Sequence, residues 1–128
     1  YIDTPESSNN KKNKRDSKNC KNVSKKDMKA AGKSATRAAK RLLTLKKKYE
    51  YKVNGKDRYG RSICVVELDN ITFNEKMILD GYAVPYRQYM NKSELAYYEN
   101  VLSEAKLSKA GLWKGRRQVM ECLDKARK

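Results

Sequence analysis

Residues 49–68 constrain this chain more than any other stretch, because they read as little else than a β-hairpin. Tyr49-Glu50-Tyr51-Lys52-Val53 alternates apolar and charged side chains with the two-residue period of a half-buried strand. Asn54-Gly55 and Tyr59-Gly60 tolerate positive φ, and the apolar run Ser62–Leu68 follows, so two antiparallel strands joined by a turn are expected. Arg61 then stands at the start of the second strand, on a rigid element beside a tight loop. A guanidinium placed there can meet a phosphate or carboxylate through two parallel hydrogen bonds. Taken alone, Asp57-Arg58-Tyr59-Gly60-Arg61 is more simply a solvated turn, and it is the opposite end of the chain that changes this weighting.

There, Tyr1-Ile2-Asp3-Thr4-Pro5-Glu6 reads as a strand running into a turn, since Pro5 holds Thr4 extended and cannot continue a ladder. It places the carboxylates of Asp3 and Glu6 in one tight turn. Close acidic groups with a backbone carbonyl between them suit a hard cation such as Ca²⁺ or Mg²⁺. For the hexapeptide alone, turn capping by Asp3 and Thr4 is the plainer account.

Composition narrows the chemistry. The 128 residues suffice for one domain with a modest core, and the formal charge of +16 suits a polyanion such as nucleic acid, or an anionic membrane surface. The excess is concentrated in residues 1–52, which hold 17 basic and 5 acidic residues. There is no histidine, so imidazole is excluded as base or metal ligand. Cys20, Cys64 and Cys122 are too widely spaced for a C-x-x-C zinc pair. Cys64 is read as a buried thiol in the apolar strand, while a Cys20–Cys122 pair is left open. No apolar run is long enough to span a bilayer, and between the two anionic partners nucleic acid is expected and a membrane is not.

Along the rest of the chain, residues 7–29 are rich in Lys, Asn and Ser and read as a flexible basic loop. Ala31, Ala35, Ala38, Leu42 and Leu45 recur at helical spacing, predicting a helix from about Ala30 to Lys47 with a basic outer face. Thr72-x-x-Glu75 has the form of a capping box, with Gly81 ending the short helix it starts. Tyr82–Tyr89 is read as extended chain, its tyrosines either core-edge residues or stacking surfaces. A further helix is predicted over about Ser93–Ser108, with Leu112-Trp113 folding back as an apolar anchor. The basic residues 114–128 are expected to form a helix docked loosely on the body.

In this order the pieces resemble the staphylococcal nuclease (thermonuclease) family. The resemblance runs through Ile2-Asp3-Thr4-Pro5-Glu6, the helix ending Leu42-Leu43, Asp57-Arg58-Tyr59-Gly60-Arg61 and Phe73-Asn74-Glu75. It continues through Gly81-Tyr82-Ala83, Tyr86-Arg87-Gln88-Tyr89 and Gly111-Leu112-Trp113. It implies an α+β fold, a five-stranded OB barrel with three helices, over residues 1–113. It implies Ca²⁺-dependent hydrolysis of DNA and RNA, single strands preferred, and an extracellular or periplasmic location. Asp3 would be a calcium ligand and Thr4 would add its carbonyl. Glu6 would orient or deprotonate the attacking water, Arg61 would bind the scissile phosphate, and Arg58, Tyr59, Tyr86 and Tyr89 would contact the nucleotide.

The departures carry expectations too. The family has strands before the acidic turn that supply a further calcium-binding aspartate and a phosphate-binding arginine, and neither has a counterpart in these residues. The barrel is therefore expected to be incomplete, the chain being the larger C-terminal part of the enzyme, inactive or weakly active alone, or completed by an N-terminal segment or a swapped copy. The alternative function is a non-catalytic nucleic-acid-binding OB module.

Overall fold

A computed structural model describes residues 1–8, 10–12, 14–15, 20, 22–44 and 47–128. Its elements, in order, are β1 (Ile2–Asp3), α1 (Lys25–Leu42), β2 (Tyr51–Lys56), β3 (Ser62–Val66), α2 (Phe73–Leu79) and β4 (Val84–Pro85). A 3₁₀ turn (Arg87–Tyr89), α3 (Lys92–Leu107), α4 (Leu112–Gly115) and α5 (Arg117–Ala126) complete it. The strands form two small antiparallel sheets, β1 with β4 and β2 with β3. The fold is α+β, and no closed barrel forms among the described residues.

Helix α1 starts earlier than its alanine spacing predicts, so residues 25–29 of the expected loop are helical, as are 11–12 and 14–15, while 9, 13, 16–19 and 21 lie outside the described residues. Ser24 caps it, its Oγ accepting from the Asp27 amide at 3.1 Å. Val23 and Met28 stand at the positions of a hydrophobic staple and are both buried, which fixes how the chain enters the helix. The helix ends at Leu42 rather than Lys47, where the Tyr49 hydroxyl donates to the Leu42 carbonyl and accepts from the Thr44 amide. Leu45, the last member of the predicted stripe, lies outside the described residues.

The hairpin forms in register, Tyr51 opposite Val66 and Val53 opposite Cys64, with an irregularity between Val53 and Lys56. Asn54-Gly55 lies in that irregularity and not in the turn; the turn itself is Asp57–Gly60, with Gly60 at φ 79°. All of β2 is exposed rather than half-buried, and Cys64 is an exposed free thiol, not a buried one. The hairpin's apolar face, Tyr51, Val53, Cys64 and Val66, borders an open cleft of about 590 Å³ together with Leu43.

The core lies instead among the helices, around Met28, Met77, Ile78, Leu102, Trp113, Met120 and Leu123. Thr72 caps α2 through the Glu75 amide, as its pattern predicts, and Trp113 is buried as anticipated. The segment Tyr82–Tyr89 is only partly extended, since it closes in the 3₁₀ turn. The C-terminal helix α5 is packed into the body and not loosely docked. Val119, Met120 and Leu123 are buried, and a disulfide joins Cys122 to Cys20 with a Cα separation of 6.0 Å.

Candidate functional site

The acidic turn is held from three sides. Asp3 pairs with Val84 across the β1–β4 ladder, and Pro5 is buried behind it. From α1, Gly32 meets the backbone of Glu6 so closely that a Cβ there would stand 2.1 Å from the Glu6 carbonyl oxygen. A glycine inside a helix costs about 1 kcal/mol relative to alanine. Its use here lets the helix backbone seat the turn directly, and spacing alone gave no sign of it.

Three of the residues singled out from sequence are brought together. The ammonium of Lys12 lies 3.3 Å from Asp3 Oδ2, 3.3 Å from the Thr4 carbonyl oxygen and 3.3 Å from Glu6 Oε1. Asp3 is also paired with Arg127 Nε at 2.7 Å, and Glu6 accepts from the Asn10 side chain at 2.7 Å. One carboxylate oxygen from each acid and one carbonyl thus converge on a single positive nitrogen. They are hard oxygens, the right kind for Ca²⁺, though that ion takes about six to eight. No group of three or more acidic, cysteine or histidine side chains with metal-binding geometry exists among the described residues. Lys12 and Arg127 were not anticipated; Lys12 sits in a lysine-rich run with nothing to single it out, and Arg127 comes from the far end of the chain.

A second group gathers at the hairpin turn. Asp57 Oδ1 accepts from the amides of Tyr59 (2.8 Å) and Arg61 (2.9 Å), and Oδ2 accepts from Arg61 Nε at 2.6 Å. Asp57 is held below the usual carboxylate range by the Arg61 amide first, then by the Arg61 side chain and the Tyr59 amide, which together outweigh desolvation. Arg61 is 75 % exposed. With Nε committed to Asp57, its two terminal nitrogens make no hydrogen bond among the described residues, so the end-on face of the fork is turned to no protein acceptor. Arg58 and Arg61 both lie over the Tyr59 ring, at 4.9 and 5.3 Å. Tyr59 itself is 68 % exposed.

The third group is aromatic. Tyr89 stacks on Tyr1 at 4.8 Å and tilts against Tyr86 at 5.0 Å, while Arg127 lies 5.0 Å over the Tyr86 ring. Through Arg127 these tyrosines adjoin Asp3. Among the described residues no hydrogen bond or ion pair joins the hairpin group to the acidic turn. The two are separate clusters, and Tyr1 is a member of the aromatic one that sequence reasoning missed.

Arg87, quoted in the sequence only as part of a motif, has a structural role. Its guanidinium bonds Glu99 and Asp124 Oδ1, the latter at 2.6 Å, and Lys106 reaches Asp124 Oδ2 at 3.0 Å. Burial alone would push the Asp124 carboxyl up, but the hydrogen bonds from Arg87 and Lys106 prevail and hold it below its ordinary range.

Comparison with known proteins agrees with the fold. A family model described as "Staphylococcal nuclease homologue" matches residues 1–115. Among solved structures, the "Extended Tudor domain of Drosophila Melanogaster Tudor-SN (p100)" superposes with a TM-score of 0.54 at 17% identity. The match covers 71% of this chain and 42% of that one, so this chain spans less than half of that structure's length. No curated protein matches the chain.

Proposed function

Because this chain belongs to the staphylococcal nuclease family, we propose that it carries the catalytic residues of a Ca²⁺-dependent phosphodiesterase acting on DNA and RNA with little sequence specificity. The observation that carries this reading is the convergence of Asp3 Oδ2, Thr4 O and Glu6 Oε1 on one cationic nitrogen. Asp3 and Thr4 would hold the ion, with further oxygens from water and substrate. When bound, the cation supplies neutralisation of the phosphodiester's negative charge.

The chain's own residues do the rest. With no histidine to serve as base, Glu6 takes a proton from the attacking water as its oxygen bonds to phosphorus and the bond to the departing sugar oxygen breaks, that oxygen taking a proton from solvent water. Arg61 donates from its terminal nitrogens to the non-bridging oxygens, where charge builds in the transition state. Asp57 fixes the guanidinium for that task. Arg58 and Tyr59 at the turn, and Tyr86 and Tyr89 beside Asp3, offer cations and ring faces to the flanking nucleotides of a single strand.

Two further parts of this reading rest on their own observations. The exposed apolar hairpin face is where a completing segment, or a second copy, would pack as additional strands. The disulfide accords with an oxidising location, extracellular or periplasmic.

One observation favours a second reading, a non-catalytic nucleic-acid-binding module: Lys12 and Arg127 already neutralise the acidic turn. Hydrolysis of single-stranded DNA and RNA with Ca²⁺, against EDTA, separates the two. Metal-dependent cleavage that falls by about two to three orders of magnitude in Glu6→Gln and Arg61→Ala is the expected result. Tight binding without cleavage, in folded protein supplied with the completing strands, would leave only the second reading.

A further inference from the structure

The outer face of α1 is a line of positive charge. The helix carries seven basic residues and one acidic residue, Asp27. Lys26, Lys29, Lys33, Arg37 and Lys40 follow one another at steps of three and four, which places them on one side of the helix. The buried residues Met28, Ala31, Ala35 and Ala38 occupy the opposite side. Lys26, Lys33, Arg37 and Lys40 are exposed, and Lys29 is half-buried.

None of the five takes part in an ion pair among the described residues. The helix's single carboxylate, Asp27, is committed elsewhere, to Arg116 at 2.9 Å. At 1.5 Å per residue the row is about 21 Å long, with a charge every 4.5–6 Å or so. A row of unpaired like charges on a rigid rod repels itself, and it is relieved by a partner carrying a regular line of the opposite sign.

The far end of the row has a definite position. Lys40 lines a cleft of about 450 Å³ whose walls also include Asp3, Thr4, Ala35, Phe73 and Met77. The last cation of the line therefore shares a cleft with the acidic turn, which itself lies against the middle of the helix at Gly32. A strand following α1 would arrive beside Asp3, on a track separate from Arg58 and Arg61 at the hairpin.

We propose that the Lys26–Lys40 face of α1 is a second nucleic-acid surface, binding the sugar-phosphate backbone of a strand without regard to sequence and leading it to the Asp3 turn. Charge complementarity selects the partner. Each strand of nucleic acid offers one negative charge per about 3.4 Å of axis in a duplex, a regular array that a folded acidic protein does not present. An anionic membrane fits less well: the helix's apolar side is buried in the core, so nothing is left to insert among lipid tails. The contact is by long, flexible cations to phosphate, and its signature is counterion release.

The surface is independent of cleavage, so it is tested without it. Binding of a fluorescein-labelled thirty-residue oligothymidylate is measured by anisotropy in EDTA across a salt series. The wild-type chain is compared with Lys26→Gln/Lys33→Gln/Arg37→Gln/Lys40→Gln. Each lost phosphate contact reduces the log–log salt slope of a single strand by about 0.7, so the quadruple variant should lose about 2 to 3 from its slope. A lysine-to-arginine set at positions 26, 33 and 40 should restore wild-type slope, which a merely structural effect of substitution would not do. Circular dichroism confirms that α1 is retained, as expected for exposed positions.

An unaltered slope in the quadruple variant overturns the proposal. So does a variant that keeps its oligonucleotide affinity and loses binding to phosphatidylserine vesicles, which would assign the face to a membrane.

Discussion

Replacing Gly32 with alanine should damage this protein, although helix propensity says the opposite. In an unconstrained helix interior the change is worth about 1 kcal/mol of stabilisation. Here the new methyl would stand 2.1 Å from the Glu6 carbonyl oxygen, 2.2 Å from its carbon and 2.5 Å from the Ser7 nitrogen. Carbon makes ordinary contact at about 3.5 Å or more, so helix and turn must separate by about 1.3 Å. All three obstructing atoms are backbone, and Pro5 is buried behind the turn, so no side chain can swing aside to make room. Overpacking of this kind costs about 1–3 kcal/mol, enough to cancel the propensity gain. The larger effect is positional. A displacement of about 1 Å in a catalytic group costs on the order of 10²-fold in rate, so cleavage should fall that far in a protein that still folds. Thermal melting followed by circular dichroism gives the first number, and terbium luminescence gives a readout of the acidic turn that does not depend on catalysis. If Gly32→Ala melts higher than wild type and binds terbium equally well, the close approach of α1 to Glu6 is not what holds the turn.

Other outcomes follow from the same geometry. Lys12→Met removes the ammonium that competes for the three turn oxygens, so calcium affinity by titration calorimetry should rise about tenfold, equivalent to about 1.4 kcal/mol; an unchanged affinity would mean the ion binds elsewhere. Asp124 is a carboxyl held below its ordinary range, so its stabilising effect is present above about pH 4, the unfolded value, and is lost as pH falls through the lower folded one. Urea melts from pH 6 down to 2 should show that loss in wild type and a flatter profile in Asp124→Asn. At neutral pH the same variant should be less stable by about 2 kcal/mol, because buried Arg87 loses one of its two carboxylate partners and keeps only Glu99. Cys20→Ser/Cys122→Ser opens a bridge with a sequence separation of 102 residues, and the chain-entropy relation puts its loss at about 4–5 kcal/mol. Equal denaturation midpoints for the two proteins would show that the bridge does not stabilise the fold.

What the sequence settled by itself was local. The hairpin from Tyr51 to Val66, the Thr72 cap of α2, the span of α3 and the acidic turn all depend on residues within a few positions of one another. Their periodicity, capping groups and turn chemistry act at that range, so a linear reading reaches them. Even the early start of α1 was written locally, in Val23-Ser24-x-x-Asp27-Met28, behind the louder signal of the alanine stripe. The tertiary structure decided what no neighbour in sequence can report. Lys12 enters the turn only because the chain folds back over it, and Arg127 reaches Asp3 across 124 positions. Burial of one face of the hairpin depends on a second layer that these residues do not supply, which is why Cys64 and all of β2 are exposed where alternation predicted otherwise. The charges on α1 were legible as a basic face, but that they form no ion pair among the described residues, and that Lys40 shares a cleft with Asp3, was not. Pairing is a matter of distance in space, and Coulomb energy falls with that distance rather than with separation along the chain.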